Sequence, residues 1–174
     1  MVDYTTYLVD KYCRRGIIID TNLMLVYIVG MCNPNYVGHF RRTEAYCKED
    51  YDYISSVLSH FSKVIVTPHI LAELSNLSPK IRDNKEGKKI AAYFEVFRRV
   101  LERTDEEYIN KDDILSSILL PKLGITDLTI VEAAEKYKCL VFTNDGPATG
   151  YMRGKGIAVL NLNEQFRTPF WLRK

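Results

Sequence analysis

The chain has 174 residues, 47% of them hydrophobic and 26% charged, with a formal net charge of +2. That length suits one domain with a proper core, and the composition is that of an ordinary globular protein. The near-neutral balance excludes a global basic signal for nucleic acid, so any such signal must be local. The four cysteines, Cys13, Cys32, Cys47 and Cys139, are widely spaced with no C-x-x-C pair, which argues against a zinc site. Met1–Asp10 carries Asp3 and Asp10 and lacks the basic start of a signal peptide. Ile17–Met31 is interrupted by Asp20 and Asn22 and is too short to span a bilayer. The expected setting is a reducing cytoplasm.

In chain order, Tyr4–Arg15 has Tyr4, Leu8 and Tyr12 at helical spacing. Ile17–Ile19 is an apolar, β-branched run that reads as a buried strand. Thr21 or Asn22 can cap the helix that follows through Met31. Cys32–Tyr46 is rich in Asn, Pro, Gly, aromatics and Arg, and reads as a loop. Asp50–Phe61 is an amphipathic helix, with Tyr53, Ile54, Val57, Leu58 and Phe61 on one face. Val64–Val66 is a second strand. Thr67-Pro68 then starts a helix, with Thr as cap and Pro in the first turn. Pro79–Gly87 is charged and expected to be exposed. Lys88–Arg103 is a long amphipathic helix. Tyr108-Ile109 reads as a short strand and Asp112–Leu120 as a helix. Thr126–Tyr137 is a further helix, Leu140–Thr143 a buried strand, and Ile157–Leu160 another after a short helical segment. Strands alternating with helices indicate an α/β fold, a three-layer α/β/α sandwich on a central, mainly parallel sheet. No repeat, low-complexity tract or linker interrupts it, so residues 1–174 are expected to form a single domain.

Four separated carboxylates stand out. Asp20 ends the first strand, in Ile17-Ile18-Ile19-Asp20-Thr21-Asn22. Asp145 ends a later one, in Leu140-Val141-Phe142-Thr143-Asn144-Asp145. In a parallel sheet the chemistry gathers beyond the carboxyl ends of the strands. If these two strands are neighbours, Asp20 and Asp145 meet at one edge. Glu73 lies in the helix after the second strand, and Asp127 at the start of the helix in Thr126-Asp127-Leu128. Each acid has a plain alternative. Asp20 and Asp127 can cap helices, Glu73 can be a solvated boundary residue, and Asn144-Asp145-Gly146 can be a hairpin turn. Asp112 and Asp113 read as cap residues, and His39, His60 and His69 as structural or surface residues.

Taken in order, Ile-Ile-Asp-Thr-Asn, then Thr67-Pro68 leading to Ala72-Glu73-Leu74, then Thr126-Asp127, then Phe142-Thr143-Asn144-Asp145, the set resembles the PIN-domain nucleases over roughly the whole chain. Singly each motif is weak; the ordered set is specific. The resemblance implies a PIN-like three-layer fold in which Asp20, Glu73, Asp127 and Asp145 hold magnesium or manganese for phosphodiester hydrolysis. Chemistry agrees, because a hard cation favours oxygen ligands and clustered carboxylates raise one another's pKa unless a cation joins them. Thr143 and Asn144 are candidates for orienting a water. Cys32–Tyr46 and the basic Lys80–Arg103 are longer than the commonest pattern of that family.

Local charge gives the nucleic-acid signal. Lys80–Arg103 holds eight basic and four acidic residues, a local charge of +4, with Lys88 and Lys89 at its helix start. Arg41, Arg42 and Tyr46 mix guanidinium with an aromatic ring, which suits phosphates and unpaired bases. A solvated helix face and a loop packed on the core are the respective alternatives. The resulting expectation is a metal-dependent endoribonuclease acting on single-stranded RNA, as a toxin of a toxin–antitoxin pair or as a processing enzyme. Its rivals are a nuclease for DNA flaps or single strands and a non-catalytic module of the same fold. The partners this reading admits are RNA, a protein inhibitor or antitoxin, and a second copy in a homodimer, with no membrane.

Overall fold

A computed structural model describes residues 4–79 and 87–165; the side chains of Lys88 and Gln165 also fall outside that description. The elements run α1 (Tyr4–Tyr12), β1 (Ile17–Ile19), α2 (Thr21–Cys32), α3 (Lys48–Leu58), β2 (Val64–Val66), α4 (Pro68–Leu77) and α5 (Gly87–Leu101). They continue with β3 (Thr104–Glu106), α6 (Lys111–Leu115), α7 (Leu120–Tyr137), β4 (Leu140–Thr143), α8 (Gly146–Gly154), β5 (Val159–Asn161) and α9 (Leu162–Gln165).

The strands form one sheet in the order β3-β2-β1-β4-β5, with every pairing parallel. Helices flank it, giving the α/β/α arrangement. The central strands β1, β2 and β4 are apolar because they are covered on both faces. All residues of β1 and β4 are buried, and Ile17, Ile18, Ile19, Leu140, Val141 and Phe142 are 0% exposed. Burying each such side chain contributes roughly 1.5–3 kcal/mol, so a charge placed in β1 would remove the sheet's centre. α2 packs with α3, α4 and α5, while α7 packs with α8 and against β1 and β4. α2 is apolar all round, from Leu23 to Val29, and most of its residues are buried. That is the pattern of a helix held inside the protein and not laid on its surface.

Strand order reverses between β1 and β4, the place where open α/β sheets leave a crevice at the carboxyl edge. β1 pairs with β4 in the register Ile17↔Leu140, Ile18↔Val141, Ile19↔Phe142. The Asp20 amide extends that ladder by donating to the Phe142 carbonyl (3.0 Å). Asp20 is thereby held one residue beyond β1, alongside the end of β4.

The structure corrects several boundaries. The expected strand at Tyr108-Ile109 is absent; the edge strand is Thr104–Glu106, whose side chains are mostly exposed. The expected loop at Cys32–Tyr46 contains a 3-10 helix over Pro34–His39, capped by Asn33. The expected helix over Asp112–Leu120 ends at Leu115, and its cap is Asn110 instead of Asp112 or Asp113. α7 spans Leu120–Tyr137 but is broken at Gly124, whose φ of 77° favours glycine; the part after the break is the helix expected from Thr126, and the turn ahead of it is an addition. The final strand is Val159–Asn161 in place of Ile157–Leu160. The charged Lys80, Arg82 and Lys85 lie outside the described residues.

Candidate functional site

Residues from four helices, α2, α4, α7 and α8, line the crevice. Asp20 is the N-cap of α2, a role for which Thr21 and Asn22 are also candidates by sequence. The Leu23 amide donates to Asp20 Oδ1 (2.8 Å). Asp20 Oδ2 accepts from the Thr143 hydroxyl (2.5 Å) and the Asn144 amide (3.0 Å). One buried carboxylate therefore ties β1, α2 and the end of β4 together. With Asp20 capping the helix, Thr21 is free for other work: its hydroxyl donates to Glu73 Oε2 (2.9 Å), linking α2 to α4.

Asp145 is the N-cap of α8. Its Oδ1 accepts from the Ala148 amide (2.7 Å), and Pro147 stands in the first turn. The Asp145 amide donates to Thr143 Oγ1 (3.0 Å). Thr143 is buried, gives its proton to Asp20 and accepts from the Asp145 amide, so it orients the two acids. Asn144 is fixed on three sides. Its amide meets Asp20, its Nδ2 donates to the Tyr46 hydroxyl (2.5 Å), and its carbonyl accepts from Asn163 Nδ2 (2.7 Å). The Tyr46 contact joins residues 98 apart in sequence and was not legible there. It brings the 33–46 excursion against the crevice.

Glu73 and Asp127 come from α4 and α7. α4 is capped by Thr67, whose hydroxyl accepts from the Ile70 amide (3.4 Å). Thr129 gives its proton to the Thr126 carbonyl (2.7 Å). The buried 3.0 Å contact between the Thr67 and Thr129 hydroxyls is therefore donated by Thr67. That bond locks the start of α4 to α7 two residues after Asp127. The Gly124 kink begins a new helical direction just ahead of Asp127.

The four acids line one open cleft of ≈ 370 Å³, together with Thr21, Asn22 and Asn144. No Lys or Arg lines it among the described residues. Uncompensated charge shows in the titration. Burial, followed by Asp145, Asp20 and Glu73, pushes the Asp127 carboxyl up from 3.8 to about 6. Burial also raises the Asp20 carboxyl, and Asp145 adds to the rise, while the donors from Leu23, Thr143 and Asn144 pull it down. Among the described residues no three acidic, His or Cys side chains are already gathered around one point as a metal ion requires. The hydrogen bonds explain the spread: Asp20, Glu73 and Asp145 are each turned toward a protein donor, and like charges gain nothing by approaching. As a donor set, four carboxylates with no competing base, Cys or His in the cleft match a hard divalent cation.

The remaining candidates stand apart from the cleft lining. Arg41 and Arg42 are exposed on the turn after the 3-10 helix, and Lys89 is exposed near the start of α5. The Lys88 side chain lies outside the described ones. His69 Nδ1, one turn before Glu73 on α4, is a buried nitrogen with no hydrogen-bond partner. Among the described residues, no helix is long and apolar enough to cross a membrane.

No family model matches the chain, and no curated protein matches it. A solved structure described as a domain of a functionally unknown protein from Methanocaldococcus jannaschii DSM 2661 aligns with a TM-score of 0.42. It is 18% identical, over 84% of this chain and 89% of that one. At that similarity it carries no argument about function.

Proposed function

We propose that the chain is a divalent-metal-dependent endoribonuclease of PIN type that hydrolyses phosphodiester bonds in single-stranded RNA. The observation that carries this reading is the cleft itself: four acids, two from helix N-caps and two from within α4 and α7, at the carboxyl edge where strand order reverses, with no Lys or Arg in the lining among the described residues. Asp20, Glu73, Asp127 and Asp145 would hold magnesium or manganese. When bound, the ion supplies neutralisation of the phosphate charge and a lowered pKa for a nearby water.

The protein's own contribution is prior fixation of its acids. Thr143 and the Asn144 amide aim Asp20, Thr21 aims Glu73, and the first turn of α8 holds Asp145. Such outer partners keep ligands in one orientation. Asp127 has no hydrogen-bond partner among the described residues, and burial and its acidic neighbours raise its carboxyl to about 6, so a cation beside it would relieve that repulsion. Arg41 and Arg42, exposed beyond the cleft, hold the strand by its phosphates. Within the same proposal, a small protein that covers the acidic cleft would make the chain the toxin of a toxin–antitoxin pair.

The test is incubation of end-labelled RNA and DNA of one sequence with manganese, magnesium or chelator. Internal cleavage of RNA that needs metal and is lost in Asp20→Asn supports the reading. Metal-dependent cleavage of DNA alone would move it to the DNA-nuclease rival. Absence of cleavage with both nucleic acids would favour a non-catalytic module.

A further inference from the structure

A second cavity lies away from the carboxylates. α2 leaves the cleft at Thr21 and runs back along the sheet. At 1.5 Å per residue, Tyr27 and Met31 stand about 9 and 15 Å further on. There α2, α3 and α5 enclose a pocket of ≈ 330 Å³ that reaches the starts of β2 and β3 at Val64 and Thr104. That volume is within the range of small-molecule sites.

The walls are of three kinds. The first is a fixed aromatic face. Tyr27 lines the pocket and is stacked on Tyr51, with centroids 6.2 Å apart and planes at 26°. Tyr51 is held in turn: its hydroxyl donates to Met31 Sδ (3.5 Å), and its ring lies over Gly30. A Cβ at Gly30 would fall 2.1 Å from that ring, so only glycine permits the stack. The second wall is cationic. Arg99 and Arg103, one helical turn apart near the end of α5, both line the pocket. Arg99 has only a long, exposed contact to Glu95 (3.6 Å), and Arg103 has no carboxylate partner among the described residues. The third is a set of hydroxyls over an apolar floor of Leu58 and Phe61. Ser59 gives its proton to the Ser56 carbonyl (2.7 Å) and lies 3.5 Å from His60 Nδ1, so towards a ligand it can only accept. The Ser55 hydroxyl has no partner among the described residues.

Each wall selects a part of one ligand. A rigid tyrosine face with an apolar floor takes a flat ring. Paired guanidiniums take a phosphate, to which they donate in forked geometry. The Ser55 hydroxyl, with the acceptor oxygens of Ser59, Ser62 and Thr104, takes the polar groups of a sugar. We infer that this pocket binds a nucleoside monophosphate, with the base against Tyr27 and the phosphate between Arg99 and Arg103. The site is independent of the carboxylate cleft and of any nuclease activity.

Calorimetric titration of the whole chain with adenosine 5′-monophosphate, in chelator, tests this. Saturable binding is expected, weakened about tenfold or more in Arg99→Ala/Arg103→Ala and at least as much for adenosine without its phosphate. Both arginines are exposed, so the double variant is expected to melt like the wild type. Tyr27→Leu should also weaken binding, and Glu73→Gln in the carboxylate cleft should change it less than about twofold. No saturable binding, equal binding of adenosine and its monophosphate, or loss in Glu73→Gln with the arginine variant unaffected would each overturn the inference.

Discussion

Replacing Asp127 with Asn isolates the charge in the cleft. Asp127 makes no hydrogen bond among the described residues, so the change keeps its shape and breaks no contact. Its carboxyl stands at about 6 in the folded protein against 3.8 as its ordinary value. A raised folded pKa means that the neutral acid is favoured by folding. Stability is therefore fully present below 3.8 and is lost as pH rises through about 6. A shift of about two units corresponds to about 3 kcal/mol. Because the side chain is only partly buried, solvent screening reduces that to about 1–2 kcal/mol. For a chain of this size each kcal/mol moves the melting temperature by about 2–4 °C. In chelator at pH 7.5, Asp127→Asn should melt about 2–8 °C above wild type, with the gap closing as pH falls toward 4. Magnesium or manganese should raise the wild-type melt by more than the variant's, since a ligand that binds only the native state stabilises it. A variant that melts below wild type in chelator at pH 7.5 would refute the reasoning, because Asp127 would then be making a stabilising contact and not suffering repulsion.

Three other outcomes follow from the same geometry. Asp20→Asn should abolish cleavage and cost about 1–3 kcal/mol in chelator, since the amide must turn a donor toward either the Leu23 or the Asn144 amide; relief of the buried charge offsets part of this, and a fully active variant would contradict it. Tyr46→Phe removes the acceptor for Asn144 Nδ2 and should lower stability by about 1 kcal/mol in denaturant titrations; an unchanged midpoint would show that the contact contributes nothing. Arg41→Ala with Arg42→Ala should weaken binding of single-stranded RNA and reduce the salt slope by about 1.4, with the metal response of the melt unchanged; an unaltered slope would make the turn merely structural.

The sheet's centre was legible because β1, β2 and β4 are short apolar runs buried on both faces, and composition alone betrays such strands. Placing Asp20 and Asp145 at adjacent strand ends needed only that these strands pair, as they do. The edge strand was not legible. Thr104-Asp105-Glu106 carries two acids and follows β2 by pairing, from Thr104 opposite Val64 to Glu106 opposite Val66, so tertiary context overrides its poor strand character. The sequence leaves the α2 cap open because Asp20, Thr21 and Asn22 are all good cap residues. Glu73, 52 residues away, decides among them by taking the Thr21 hydroxyl. Gly124 reads as a break and its backbone is non-helical, so the helix from Thr126 was legible, whereas the helical turn ahead of it at 120–123 was not. Thr143 as an orienter of Asp20, and Tyr46 as a partner of Asn144, rest on contacts between residues far apart in sequence, which leave no local pattern.

The central claim is that the four acids act together on a divalent cation, and manganese titration followed by the paramagnetic resonance of the free ion tests it most directly. The account expects saturable binding by wild type, weakened at least about tenfold in each of Asp20→Asn, Glu73→Gln, Asp127→Asn and Asp145→Asn. Asp113→Asn, outside the cleft lining, should bind like wild type. Wild type that takes up no manganese, or four variants that all bind it as wild type does, would contradict the account.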